Sequence, residues 1–173
     1  HTHAVGLRDL GPTMAPLNAF LTLLGIETLP LRMERHCVNA LAVARFLQSH
    51  DEVAWVNYAG LPGNPYHALA NKYLPKGAGA VFTFGVRGGY ETGRRVVESV
   101  NLFSHLANLG DARSLIIHPA STTHRQLTSE QRAAAGAGDD VVRVSIGLET
   151  AGDLMADLDQ ALRAAAHPKC ARR

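Results

Sequence analysis

The stretch VVRVSIGLE (residues 141–149) decides the fold. Its alternation puts Val142, Val144 and Ile146 on one face and Arg143 and Ser145 on the other, the period of two of a half-buried strand. A strand of this kind needs an apolar layer to lie against, and the following residues offer one. Thr150 and Asp153 can cap a helix in which Leu154, Leu158 and Leu162 recur every four residues. Upstream, SLII (residues 114–117) is a short apolar run stopped by Pro119. Thr128, with Gln131 three residues later, forms a capping-box pattern that starts a helix.

The same reading extends to the amino-terminal side. GAVFTFGV (79–86) and VAWVNYA (53–59) read as strands, separated by a short helix over 66–73. A helix over 91–100 turns Val96, Val97 and Val100 inward. A long helix is predicted over 29–50, with Met33, Cys37, Leu41, Ala44 and Leu47 as its apolar stripe and Arg32, Arg35, Asn39 and Gln48 mostly off it. Pro16 fits the first turn of a helix ending near Leu24, with Gly25 as a candidate cap. Helix and strand alternate, so residues 1–173 are predicted to form a single small domain of α/β (α+β-like) class. It has one small sheet of about four strands, helices packed on one face, and a long helix preceding it.

Composition narrows the function classes. The net charge is +2 and the basic residues are scattered apart from Arg172-Arg173, which argues against nucleic acid or an anionic membrane surface as partner. No apolar run approaches the roughly 20 residues of a bilayer crossing. Cys37 and Cys170 do not make a disulfide framework, so a reducing, cytoplasmic location is expected. His1-Thr2-His3 lacks a third ligand at zinc-like spacing, and no metal site is expected.

Among polar residues Arg143 is the most informative. A guanidinium on a mostly apolar strand is either turned to solvent or forms a fork that grips a carboxylate through two parallel hydrogen bonds. The loop HPASTTH (118–124) has hydroxyls and two histidines, but its spacing suits neither a metal nor a nucleophile. Asp111, Ser121 and His124 could be written as a triad, yet no Gly-x-Ser-x-Gly elbow is present, and a turn with self-satisfied hydroxyls is the default. Gly77, Gly79, Gly85, Gly88 and Gly89 do not form a dinucleotide fingerprint.

Three ordered segments carry a family resemblance: GPTMAPLNAFLTLLGIETLPLRMERHCVNALAVARFL, NLGDARSLIIHPASTTH and VVRVSIGLE. Together they resemble the pyridoxal-phosphate enzymes of cysteine and methionine metabolism, over residues 7–162. That family includes cystathionine synthases and lyases, methionine gamma-lyase and O-acetylhomoserine sulfhydrylase, and the spellings are most similar to the sulfhydrylase branch. The resemblance implies the carboxy-terminal domain of the fold-type I pyridoxal-phosphate architecture, with the large cofactor-binding domain absent from this chain. It implies a transferase that replaces the acetate of O-acetyl-L-homoserine by sulfide to give homocysteine, in methionine biosynthesis, and a homo-oligomer. It further implies that Arg143 binds the substrate's α-carboxylate, assisted by Asn108 where many relatives have serine. No catalytic residue and no cofactor ligand is expected in the chain, because Lys72, Lys76 and Lys169 do not resemble the lysine that carries the cofactor. A cystathionine gamma-synthase, a methionine gamma-lyase and a non-catalytic stand-alone domain are the alternatives.

Overall fold

A computed structural model describes residues 2–11 and 13–167. Cys170, Lys169 and the Arg172-Arg173 tail lie outside the described residues, as does His1 of the His1-Thr2-His3 motif. The chain divides into two compact units, His1–Arg32 and Met33–Arg173.

The first unit holds a π-helical turn, Thr2–Leu7, then α1 (Arg8–Leu10) and α2 (Pro16–Glu27). Pro16 stands in the first turn of α2, where its missing N–H costs nothing. The helix continues past Gly25 to Glu27, so that glycine does not end it. None of its residues is buried: Leu17, Phe20, Leu21, Leu23, Leu24 and Ile26 are all exposed. Apolar side chains cover most of the circumference of α2, all but the side of Asn18, Thr22 and Gly25, which makes the apolar face too broad for a narrow stripe.

α3 (Leu29–Gln48) runs from the first unit into the second. There follow β1 (Val53–Asn57), α4 (His67–Tyr73), β2 (Val81–Val86), α5 (Gly89–Ser99), β3 (Leu115–Ile117), a 3-10 turn (Pro119–Ser121), α6 (Ser129–Ala134), β4 (Val141–Ser145) and α7 (Ala151–Ala166). The four strands form one sheet in the order β1-β2-β4-β3, with every neighbouring pair antiparallel. The α/β class and the four strands are as the hydrophobic patterning predicts.

Register explains the core. Phe82 pairs with Val144, Phe84 with Val142, and Ile116 with Val144, so these side chains share one face of the sheet. They pack with Ala40, Val43, Ala44 and Leu47 of α3, Val96 and Val97 of α5, and Leu154, Leu158 and Leu162 of α7. The capping box at α6 forms as expected: Thr128 accepts the Gln131 N–H and the Gln131 side chain accepts the Thr128 N–H. Thr150 stands at the α7 cap position but makes no side-chain cap hydrogen bond.

The structure differs from the pattern at two further places. The buried face of α3 is His36, Asn39, Ala40, Val43, Ala44 and Leu47, not the stripe through Met33, Cys37 and Leu41. Two polar residues displace apolar ones because each finds a backbone carbonyl to bond inside. The last strand also ends at Ser145 rather than Glu149. Past it the Ile146 N–H still donates to Ala80 O at 2.9 Å, and residues 146–149 are held by α3 side chains and by the segment before β3.

α7 also holds a buried carboxylate. Asp157 accepts the backbone N–H groups of Asn101 at 2.8 Å, Leu102 at 2.8 Å and Phe103 at 3.3 Å, and the Gln160 amide at 3.0 Å. It fixes the chain where α5 turns toward β3.

Candidate functional site

β4 lies between β2 and β3, which places Arg143 in the middle of the sheet. Its register partners are Thr83 on one side and Ile117 on the other. Cross-strand partners project to the same face, so Arg143 stands on the face opposite Phe82, Phe84, Val142 and Val144. The residue is half-buried. Among the described residues its guanidinium makes no ion pair, whereas Arg94, Arg132 and Arg163 each pair with a carboxylate. Ile117 immediately precedes the His118-Pro119 step, and the 3-10 turn lies against β4. Arg143 is thus a planar donor set with unused hydrogen-bonding capacity, beside the turn after β3.

Asn108 lies in an exposed loop that leaves and re-enters the sheet at neighbouring points. Ser104 forms a bridge with Leu115, the Ser104 N–H donates to Ser114 O at 2.9 Å, and the Ile116 N–H donates to Ser104 O at 3.0 Å. Loop 105–113 is therefore an excursion rooted at Ser104 and Ser114. Within it Asn108 Oδ1 accepts the Leu109 N–H at 2.8 Å. Gly110 takes a φ of 69°, a left-handed value that favours glycine.

The HPASTTH segment is knitted to itself, as its composition suggests. His118 Nε2 lies 3.0 Å from Asp139 O, so that nitrogen carries the proton, because a carbonyl only accepts. Nδ1 lies 2.9 Å from Ser121 Oγ, and Thr122 Oγ1 donates to His118 O at 2.8 Å. The Tyr90 ring meets the imidazole edge-on at 5.1 Å between centroids. A Cβ at residue 93 would lie 2.8 Å from the ring, so Gly93 gives α5 its close approach. His118 is a fully buried structural histidine. No triad of Asp111, Ser121 and His124 is built: Asp111 accepts the Arg113 N–H and His124 Nδ1 contacts Thr123.

Burial is the main cause that pushes the His118 pKa down, opposed by Asp139 and reinforced by Arg132 and Arg94. The unfolded chain takes up a proton below about pH 6.5 while the folded chain does not until lower pH. This contribution to stability is complete above that value and is lost as pH falls through the window beneath it. Urea unfolding between pH 7.5 and 5 should show that loss, and His118→Gln should flatten that part of the profile. An unchanged slope in the variant would remove His118 as its source.

The residues beyond β4 contribute features that the sequence did not flag. Glu149 Oε1 accepts the Ser114 N–H at 2.6 Å and Oε2 accepts the Ser114 hydroxyl at 2.9 Å. Ser114 Oγ in turn accepts the Gly147 N–H at 2.8 Å, and the Leu148 N–H donates to Ala112 O at 2.9 Å. From α3, Asn39 Nδ2 donates to Gly147 O at 3.0 Å and Glu149 O at 2.8 Å, and His36 Nδ1 donates to Ile146 O at 2.6 Å. The available signal was polar residues at i and i+3 inside an apolar helix face, together with an acid just after a buried run.

The described lysines do not fit the cofactor that the resemblance implies. Lys72 lies on the exposed side of α4, with Nζ 5.1 Å from the Tyr73 ring centroid. Lys76 is exposed in the turn after α4. Neither is enclosed with donors that would cradle a phosphate. Among the described residues no three His, Cys, Asp or Glu side chains converge on a possible metal position. No described helix is long and apolar enough to cross a membrane.

A family model described as Cys/Met metabolism PLP-dependent enzyme matches residues 2–163. The chain is 53% identical to O-acetyl-L-homoserine sulfhydrylase 1 of Thermus thermophilus, over 91% of this chain and 37% of that protein. It is 52% identical to the O-acetyl-L-homoserine sulfhydrylase of Leptospira meyeri, over 91% of this chain and 36% of the relative. Homocysteine synthase of Schizosaccharomyces pombe is 50% identical over 92% of this chain and 37% of its own length. The chain thus spans little more than a third of the length of these curated relatives. A crystal structure of a putative O-acetylhomoserine (thiol)-lyase from Campylobacter jejuni superposes with a TM-score of 0.85 at 48% identity, covering 94% of this chain and 38% of that one. That protein carries a pyridoxyl-lysine-5'-monophosphate. The match to the family model along nearly the whole chain, with relatives at half identity, settles the affiliation: the chain belongs to the PLP-dependent enzymes of Cys/Met metabolism.

Proposed function

We propose that this chain is the carboxy-terminal, substrate-carboxylate-binding domain of an O-acetylhomoserine sulfhydrylase, an enzyme that exchanges acetate for sulfide to form homocysteine. The observation that carries the proposal is Arg143. It is a half-buried guanidinium on the central strand pair, with no carboxylate partner among the described residues, beside the turn that follows β3. A carboxylate arriving from an amino-acid substrate would accept two parallel N–H bonds from it, stronger than neutral ones and fixed in orientation. Asn108, in the loop rooted next to β3, supplies an amide that can donate to the same group. The names of the half-identical relatives support the choice of substrate.

Pyridoxal phosphate supplies the electron sink for such replacements and is held outside this chain. What these residues do is bind and orient the substrate's acidic end. On this reading the protein is cytoplasmic and homo-oligomeric, and the exposed apolar side chains of α2 are surface for further protein to cover.

The test is an assay of the complete protein carrying this chain, with O-acetyl-L-homoserine as first substrate. Sulfide-dependent homocysteine formation is the expected result. Cystathionine formed preferentially from cysteine would move the protein to the gamma-synthases. Breakdown of methionine without an added acceptor would make it a gamma-lyase. No turnover of any of these would leave the non-catalytic reading.

A further inference from the structure

We infer that Glu149, acting through Ser114, is a positioning residue that sets where loop 105–113, and with it Asn108, stands relative to Arg143. The inference rests on the substrate-carboxylate role proposed above for Arg143 and Asn108. Arg143 is fixed by the ladder, because β4 is paired on both sides. Asn108 has no such support: its loop is exposed and, among the described residues, its side chain bonds only to the adjacent Leu109 N–H. Its position is therefore inherited from the roots of the loop.

The root at Ser114 is unusually determined for a loop end. Its N–H and its hydroxyl both donate to one carboxylate, Glu149, at 2.6 and 2.9 Å. Its hydroxyl oxygen simultaneously accepts the Gly147 N–H at 2.8 Å. The relay has one direction, from Gly147 N–H to the serine hydroxyl to the carboxylate, and every member has a single permitted role. Ser114 is fully buried, so no water replaces a lost partner without a change of position. Two residues earlier, Ala112 O accepts the Leu148 N–H at 2.9 Å. A Cβ at residue 147 would lie 2.5 Å from Ala112 O and against the Glu149 carboxylate, so Gly147 is what lets the two segments touch. The far side of 146–149 is tied to α3 through His36 and Asn39, which makes it a rigid support for the loop root.

Glu149→Gln is nearly isosteric but cannot accept both Ser114 donors, since one of its terminal atoms is itself a donor. In the complete enzyme we expect KM for O-acetylhomoserine to rise about fivefold, with kcat and KM for sulfide within about twofold. The same change made on an Asn108→Ala background should add nothing further, because both act on one contact. Hydrogen exchange in loop 105–113 should quicken in Glu149→Gln, a readout independent of activity. Ser114→Ala, which removes the hydroxyl relay and keeps the N–H, should reproduce the KM effect if Glu149→Gln folds poorly. Unchanged exchange in the loop, or an effect on KM that adds to that of Asn108→Ala, overturns the inference. Failure of the parent reading looks different: Arg143→Ala would then leave KM untouched while the loop still loosens in Glu149→Gln.

Discussion

Replacing Arg143 with alanine should lower kcat/KM for O-acetylhomoserine at least about thirtyfold in the complete protein. Truncating one member of a desolvated charge pair costs roughly 2–5 kcal/mol, and the lower bound already gives that factor. The loss should fall mainly on KM, because the guanidinium holds the substrate's carboxylate, a group that does not change in the reaction. Arg143→Lys keeps the charge but not the planar pair of donors, so it should restore only part of the affinity. Stability offers a control. Arg143 makes no ion pair among the described residues, so its removal strands no partner carboxylate. Its unfolding free energy should therefore change by no more than about 0.5 kcal/mol. Steady-state kinetics with varied O-acetylhomoserine, next to urea unfolding, measures both sides. An unchanged KM would end the carboxylate assignment, and a large fall in stability would give Arg143 a structural task instead.

The second large effect concerns Asp157→Ala. Three consecutive backbone donors, at Asn101, Leu102 and Phe103, share that carboxylate, and Phe103 is buried. Alanine leaves them without an acceptor, and each buried unmade bond costs about 1–3 kcal/mol, so a net loss of about 3 kcal/mol is expected. The asparagine variant should lie between, because its amide oxygen accepts from one or two of the three. Hydrogen exchange should report the change locally, with these amides opening roughly a hundredfold more often. Full protection retained in Asp157→Ala would show that another group holds this segment. Substrate affinity should change less than in Arg143→Ala, since Asp157 holds the segment after α5 from α7 and contributes nothing to the Arg143 face.

Some of this architecture is legible in the chain because local rules and tertiary demands agree. Val142, Val144 and Ile146 alternate with Arg143 and Ser145, and a period of two leaves little choice of face. Thr128 and Gln131 cap a helix through bonds between their own side chains and nearby backbone, so neither needs the rest of the protein. The buried face of α3 departs from its hydropathy for the opposite reason. His36 and Asn39 are polar by composition, and what buries them is a set of carbonyls more than a hundred residues away in sequence. Hydropathy contains no record of such a partner. Met33 and Cys37, apolar by any scale, are left half-exposed or exposed as a result.

The candidate site divides along the same line. The residue types that could bind an anion, Arg143 above all, were visible in the sequence because a charge on a strand demands an explanation. Glu149 and Ser114 were not visible, since an acid after a turn and a serine before a strand are ordinary surface choices. The sequence alone determined the class, the four strands with the helices between them, and the family, because these rest on periodicity, capping and motif order along the chain. Tertiary structure alone decided which face of α3 is buried, where the last strand stops, and what anchors the loop bearing Asn108. Those three outcomes depend on which distant backbone groups still lacked a hydrogen-bond partner once the sheet had closed, and that is a property of position in space.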